Sequence, residues 1–185
     1  MKKCSFPGKK KGSDLRSSCR FQIEGNGKET DKVVAVSLWL KSGGSYTEFL
    51  SVSMAFWVEV FPLIPEAKGW TVRIYADKFS EENIRTIIPA KLPEHMFVYW
   101  FLCPEGLTED KKERKTTESH KGTFGSLLRF HALCDTKCRK VLVRNFEQYV
   151  SPEDLAWMDL RPAPNVNTMH AAPYFPDHQP ILRNA

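Results

Sequence analysis

The sequence predicts an α/β domain with a mostly parallel sheet and helices on both faces. Apolar runs with the length and β-branched content of doubly covered strands alternate with helical patterns, in the order β-α-β-α-β-loop-α-β-α. The chain length, 185 residues, fits a single core of roughly 100–200 residues, and 42% of it is apolar, enough surface to offset chain entropy.

Residues 1–31 read as a basic flexible leader. Lys2, Lys3, Lys9, Lys10, Lys11, Arg16 and Arg20 face a single acid, Asp14, and Gly8, Gly12, Gly25 and Gly27 break any regular pattern. Residues 32–185 read as one domain. Val33-Val34-Ala35-Val36-Ser37-Leu38-Trp39-Leu40 is a strand covered on both faces. From Thr47 to Phe61 two apolar stripes follow helical spacing: Phe49, Val52, Phe56 and Val60, then Leu50, Met54, Trp57 and Phe61. Such a helix is expected to be buried on two sides. Pro62 and Pro65 end it, and Gly69 leads into a second strand, Trp70–Ala76, ending at Asp77.

Ser80 reads as an N-cap with Phe79 and Ile84 as a hydrophobic staple, and Ile87 and Ile88 complete that helix's buried face before Pro89. Met96 to Cys103 is a third buried strand. Residues 104–121 are highly charged and form an exposed loop in this reading, either a lid or a segment without a role. A helix runs from Gly122 to about Cys134, followed by a fourth strand, Lys140 to Arg144. Ser151-Pro152-Glu153-Asp154 then starts a last helix with a cap, a proline at the first helical position and two acids.

The basic N-terminal arm suits phosphate contacts with nucleic acid, against the blander reading of a solvated tail. The five cysteines lack the dense spacing of a secreted disulfide framework, so reduced thiols and a cytoplasmic setting are expected. No apolar stretch has the length of a membrane span or a signal sequence.

Chemistry is expected at the carboxyl ends of the strands, where ligands of parallel sheets sit. Beyond the fourth strand, Asn145 and Glu147 stand at i and i+2, so in an extended segment both project to one side and can meet a divalent cation bound to a diphosphate. A turn is the bland alternative. A zinc reading uses His131, Cys134 and Cys138 on one helical face with Cys103 or His120 as a fourth ligand, against buried structural thiols.

Four segments in order carry a resemblance: Val36-Ser37-Leu38-Trp39-Leu40, then Trp70-Thr71-Val72-Arg73-Ile74-Tyr75-Ala76-Asp77, then Leu128-Arg129-Phe130, then Arg144-Asn145-Phe146-Glu147. Together they resemble a viral and microbial glycosyltransferase-like family with the GT-A, Rossmann-like nucleotide-diphospho-sugar transferase fold. Met169-His170-Ala171-Ala172-Pro173-Tyr174 and His178-Gln179-Pro180 look like its later histidine-containing segment. The family pattern has R-D-x-D where this chain has Arg144-Asn145-Phe146-Glu147, and a tryptophan where it has Leu128.

The resemblance implies a nucleotide-sugar donor, with Ser37, Asp77, Arg129 and Arg144 as binding residues and Asn145 and Glu147 as metal positions. It also implies Mn²⁺ or Mg²⁺ held weakly or lost, because Asn145 brings no charge. Arg129 is then the diphosphate contact. His170 and His178 are the candidate catalytic residues, and the acceptor is an unidentified glycan, protein or small molecule. Sugar transfer, an inactive GT-A-like interaction module, and nucleic-acid binding through the basic arm are the three functions in play.

Overall fold

A computed structural model describes residues 20–38, 44–78, 81–102 and 127–160, with side chains of the first helix from Phe49 onward. Five strands form one mixed sheet: β1 (Arg20–Gly25), β2 (Lys32–Leu38), β3 (Trp70–Asp77), β4 (Met96–Leu102) and β5 (Lys140–Val143), in the spatial order β1-β4-β3-β2-β5. The pairings β2–β3, β2–β5 and β3–β4 are parallel, and β1 runs antiparallel along β4. Every residue of β3 is buried, as is β2 from Val33 on, which is why both read as continuous apolar runs.

The expected leader to residue 31 is shorter than the glycine pattern suggested, because β1 lies inside it. Its six residues pair with Leu102 through Phe97, and Phe21 packs edge-on against Tyr75 at 5.4 Å. A side chain at Gly27 would collide with the Glu94 backbone carbonyl, so this glycine permits a close chain approach.

Three α-helices are described: α1 (Gly44–Ala55), α2 (Glu81–Arg85) and α3 (Pro152–Leu160). α1 continues as a π-helical turn, Phe56–Val60, and a 3-10 turn, Phe61–Leu63, before Gly69 at φ +83° turns the chain into β3. Leu50, Met54, Trp57 and Phe61, between 0% and 3% exposed, pack with Ile84 and Leu155 on Val34, Val36, Ile74, Val98 and Trp100. Each such side chain contributes roughly 1.5–3 kcal/mol when fully buried. Of the other stripe, Phe49 is 38%, Val52 50% and Val60 47% exposed, while Phe56 is half-buried between Trp57 and Tyr149. Burial on two sides is therefore not what forms, since α1 meets the sheet on one side.

Among the described residues all three α-helices contribute to this one face. The second face carries a 3-10 segment, Leu128–Cys134, whose Leu128 and Ala132 pack on Val33, Ala35, Tyr75, Phe97, Tyr99 and Phe101. The helix expected from Gly122 is described only from residue 127. The Ser80 cap, the Phe79 staple and the 104–121 loop lie outside the described residues.

A charged network is buried under that segment. Arg73, 2% exposed in mid-strand β3, donates from Nε to Glu29 Oε1 at 2.9 Å and from Nη1 to Asp135 Oδ2 at 2.8 Å. Tyr99 donates its hydroxyl to the same Glu29 oxygen at 2.6 Å, and the Arg73 guanidinium lies 4.9 Å from the Tyr99 ring centroid. Burial opposes the Arg73 charge, yet Tyr75 and Asp135 hold its pKa above the ordinary value. Removing one partner of a buried pair strands the other, so Arg73→Met should lower unfolding free energy by about 3 kcal/mol. Urea denaturation measures it, and a loss within experimental error of zero would contradict the network's role.

Candidate functional site

The connections define where a ligand fits. From β2 the chain steps outward through β3 to β4, then returns to place β5 on the other side of β2. The strand order reverses between β2 and β5, although the segments that follow both strands pack on the same face of the sheet, and the crevice outside the carboxyl ends of the strands is the usual ligand position in open α/β sheets. The segment before β5 crosses the second face toward the amino edge. Arg129, near its start, feels the Glu147 carboxylate beyond the carboxyl end of β5. Asp135 then meets Arg73, and the backbone N–H groups of Arg139 and Lys140 donate to the Asp31 carbonyl at the amino edge.

Arg129 is half-buried, and its Nε is buried without a hydrogen bond. Its guanidinium carbon lies 5.5 Å from the Phe130 ring centroid. Burial lowers its pKa from the ordinary arginine value, and the Glu147 carboxylate opposes that shift. A guanidinium with a desolvated, unused donor beside the strand ends is equipped to bind an oxyanion such as a phosphate.

The other expected residues divide. Ser37 and Asp77 project to the face of the 3-10 segment, alternating with core residues, and are 4% and 2% exposed. Arg144 is committed elsewhere: its Nη2 donates to Asp154 Oδ1 at 2.8 Å. Asp154 also accepts from the Ser151 N–H at 3.2 Å while donating its own N–H to Ser151 Oγ at 3.1 Å, a reciprocal cap on α3. Arg144 therefore holds the start of α3 rather than standing open to a donor.

The segment after β5 is not extended. Gln148 N–H donates to the Asn145 carbonyl at 3.0 Å and Asn145 N–H to Gln148 Oε1 at 3.2 Å, closing a turn. The one-sided projection expected of positions i and i+2 is thus not the conformation found. Phe146 turns into the core, and its carbonyl accepts from Trp57 Nε1 at 2.9 Å. Among the described residues no group of three or more His, Cys, Asp or Glu side chains is placed to hold a metal ion. Asn145 and Glu147 alone do not make up such a set.

His170 and His178 lie outside the described residues, as do Cys103 and His120 of the zinc reading. Cys134 is disulfide-bonded, which corrects the reduced-thiol expectation there, and the Cys138 thiol donates to Asp135 Oδ2 at 3.6 Å. No described helix is long and apolar enough to cross a membrane.

No family model, curated protein or solved structure matches this chain. The likeness to glycosyltransferases rests on the ordered segments of the sequence alone.

Sequence reasoning missed the Glu29–Arg73–Asp135 network, although an arginine inside a buried strand is itself a signal that carboxylates lie opposite. It also gave no structural part to His131, which packs 4.6 Å from the Phe21 ring centroid. A cavity of about 440 Å³ lies at the other end of the sheet, lined by Phe61, Leu63, Ile64, Trp70 and His95, away from every expected site residue.

Burial lowers the His131 pKa below 6.5, with Asp135 opposing and Arg73 adding to the shift. Below pH 6.5 the unfolded chain binds this proton more readily than the folded one, so stability falls as pH drops from there toward the lowered folded value. His131→Phe should flatten the fall in urea midpoint between about pH 7 and pH 5. Equal slopes in both proteins would refute the burial argument.

Proposed function

We propose that the chain is a glycosyltransferase-like protein that binds a nucleotide-sugar donor in the crevice between the carboxyl ends of β2 and β5. The observation that carries this reading is the half-buried Arg129, with an unused donor, at the switch point of a mostly parallel sheet. Arg129 takes the donor's diphosphate, Asp77 and Ser37 underlie it, and Glu147 closes the side toward β5. Transfer of the sugar to a glycan, protein or small-molecule acceptor is the activity that the resemblance adds.

A second reading keeps the fold without the reaction. It is favoured by the neutral Asn145, folded into a turn, and by the pairing of Arg144 with Asp154. Nucleic-acid binding would use the basic arm, which lies outside the described residues up to Cys19.

Thermal unfolding against UDP- and GDP-sugars separates the first two. Saturation at about 100 times Kd stabilises by about 2.7 kcal/mol, which raises Tm by about 5–10 °C for a domain of this size. A shift of that order with one nucleotide class supports donor binding. No shift with any nucleotide, with or without Mn²⁺, leaves only the interaction module.

A further inference from the structure

We infer that the cavity at the amino ends of the strands is a second binding site, which takes a flat aromatic molecule carrying a hydrogen-bond acceptor such as a carbonyl. It stands apart from the donor reading, which concerns the opposite end of the sheet. The cavity holds about 440 Å³, within the range of roughly 300–1,000 Å³ common to small-molecule sites. Its walls come from the connection between α1 and β3, from Phe61 to Trp70, and from His95 just before β4.

Three of the lining residues are aromatic rings. Phe61 and His95 stack with their centroids 5.9 Å apart, and His95 Nε2 bonds to the Trp57 carbonyl at 2.9 Å. A carbonyl only accepts, so Nε2 carries the hydrogen and this bond holds the imidazole in place as a wall. Trp70 is 2% exposed, and its Nε1 is buried without a hydrogen bond. Trp57 and Trp100, which are also buried, each donate from Nε1 to an oxygen at 2.9 Å. The Trp70 donor has thus lost its water and gained nothing in exchange, a deficit that an acceptor brought by a ligand removes.

The ligand class follows from these groups: a ring to pack among the aromatic walls, and an acceptor to meet the indole N–H. The outer side of the cavity is loosely packed. Leu63 is 79% exposed, and no atom outside the neighbouring residues comes within 4 Å of the position a side chain at Gly69 would take. That side is where the wall gives way as the acceptor reaches the covered donor.

The test titrates the full chain with acetophenone and with cumene, which has as many non-hydrogen atoms but no acceptor. Proton–nitrogen correlation spectra report the indole N–H groups, with the Trp70 cross-peak assigned by its loss in Trp70→Phe. Acetophenone should move that cross-peak downfield and saturably, leave those of Trp57 and Trp100 in place, and bind about fivefold more tightly than cumene, the share of one neutral hydrogen bond. Trp70→Phe keeps a ring in the wall and removes the donor, so the two compounds should bind it equally, as read from the Gly69 amide. Equal binding of both by the unaltered chain overturns the inference, whether or not the variant folds. A Trp70 cross-peak that neither compound moves means that an ordered water only meets the donor, and overturns it too. Neither result bears on nucleotide binding at Arg129, which the thermal shifts above decide separately.

Discussion

The fold's second face is organised by one buried charge. Arg73 sits in the central strand, where an apolar side chain would be the ordinary choice, and the sheet tolerates it because Glu29 and Asp135 reach it from two different segments. The guanidinium thus ties the loop before β2 and the segment before β5 to the strand between them. Asp135 is held below the ordinary carboxylate range: burial pushes it up, but the Lys137 N–H and the Arg73 guanidinium outweigh that. Desolvating three charged groups is costly, and their mutual attraction offsets the cost only while the geometry holds. That condition makes the network a device for fixing position more than for adding stability.

What it positions is the 3-10 segment that carries Arg129. With few apolar anchors of its own, Leu128 and Ala132, the segment is held at its far end by Asp135 and Arg139. The candidate site sits at its near end. On the opposite side, the turn after β5 is fixed by Phe146 in the core and by the Trp57 hydrogen bond to its carbonyl. Arg129 and Glu147 are therefore both placed by interactions that lie outside the crevice.

The central strands were legible in the sequence because their residues are buried on both sides, and β-branched apolar runs have few other uses. β1 was not legible. Arg20-Phe21-Gln22-Ile23-Glu24-Gly25 is an edge strand whose partners, β4 and the Tyr75 ring, lie far along the chain, so local pattern carries little of its stability. α1 showed the converse error: two apolar stripes suggested two buried sides, and tertiary structure supplied one. At the site, the position of Asn145 and Glu147 beyond β5 was readable from strand order. Their turn was not, since it depends on Gln148 and on the burial of Phe146. The commitment of Arg144 to Asp154 was likewise hidden, although Ser151 and Asp154 already read as a helix start.

The central claim is that the Arg73 network sets the position of Arg129. Hydrogen–deuterium exchange across residues 127–138, measured with pyrophosphate affinity in Asp135→Asn, tests it most directly. The account predicts faster exchange through that segment together with weaker binding, although Asp135 lies away from the proposed ligand position. Faster exchange with unchanged affinity would show that Arg129 is placed by something else.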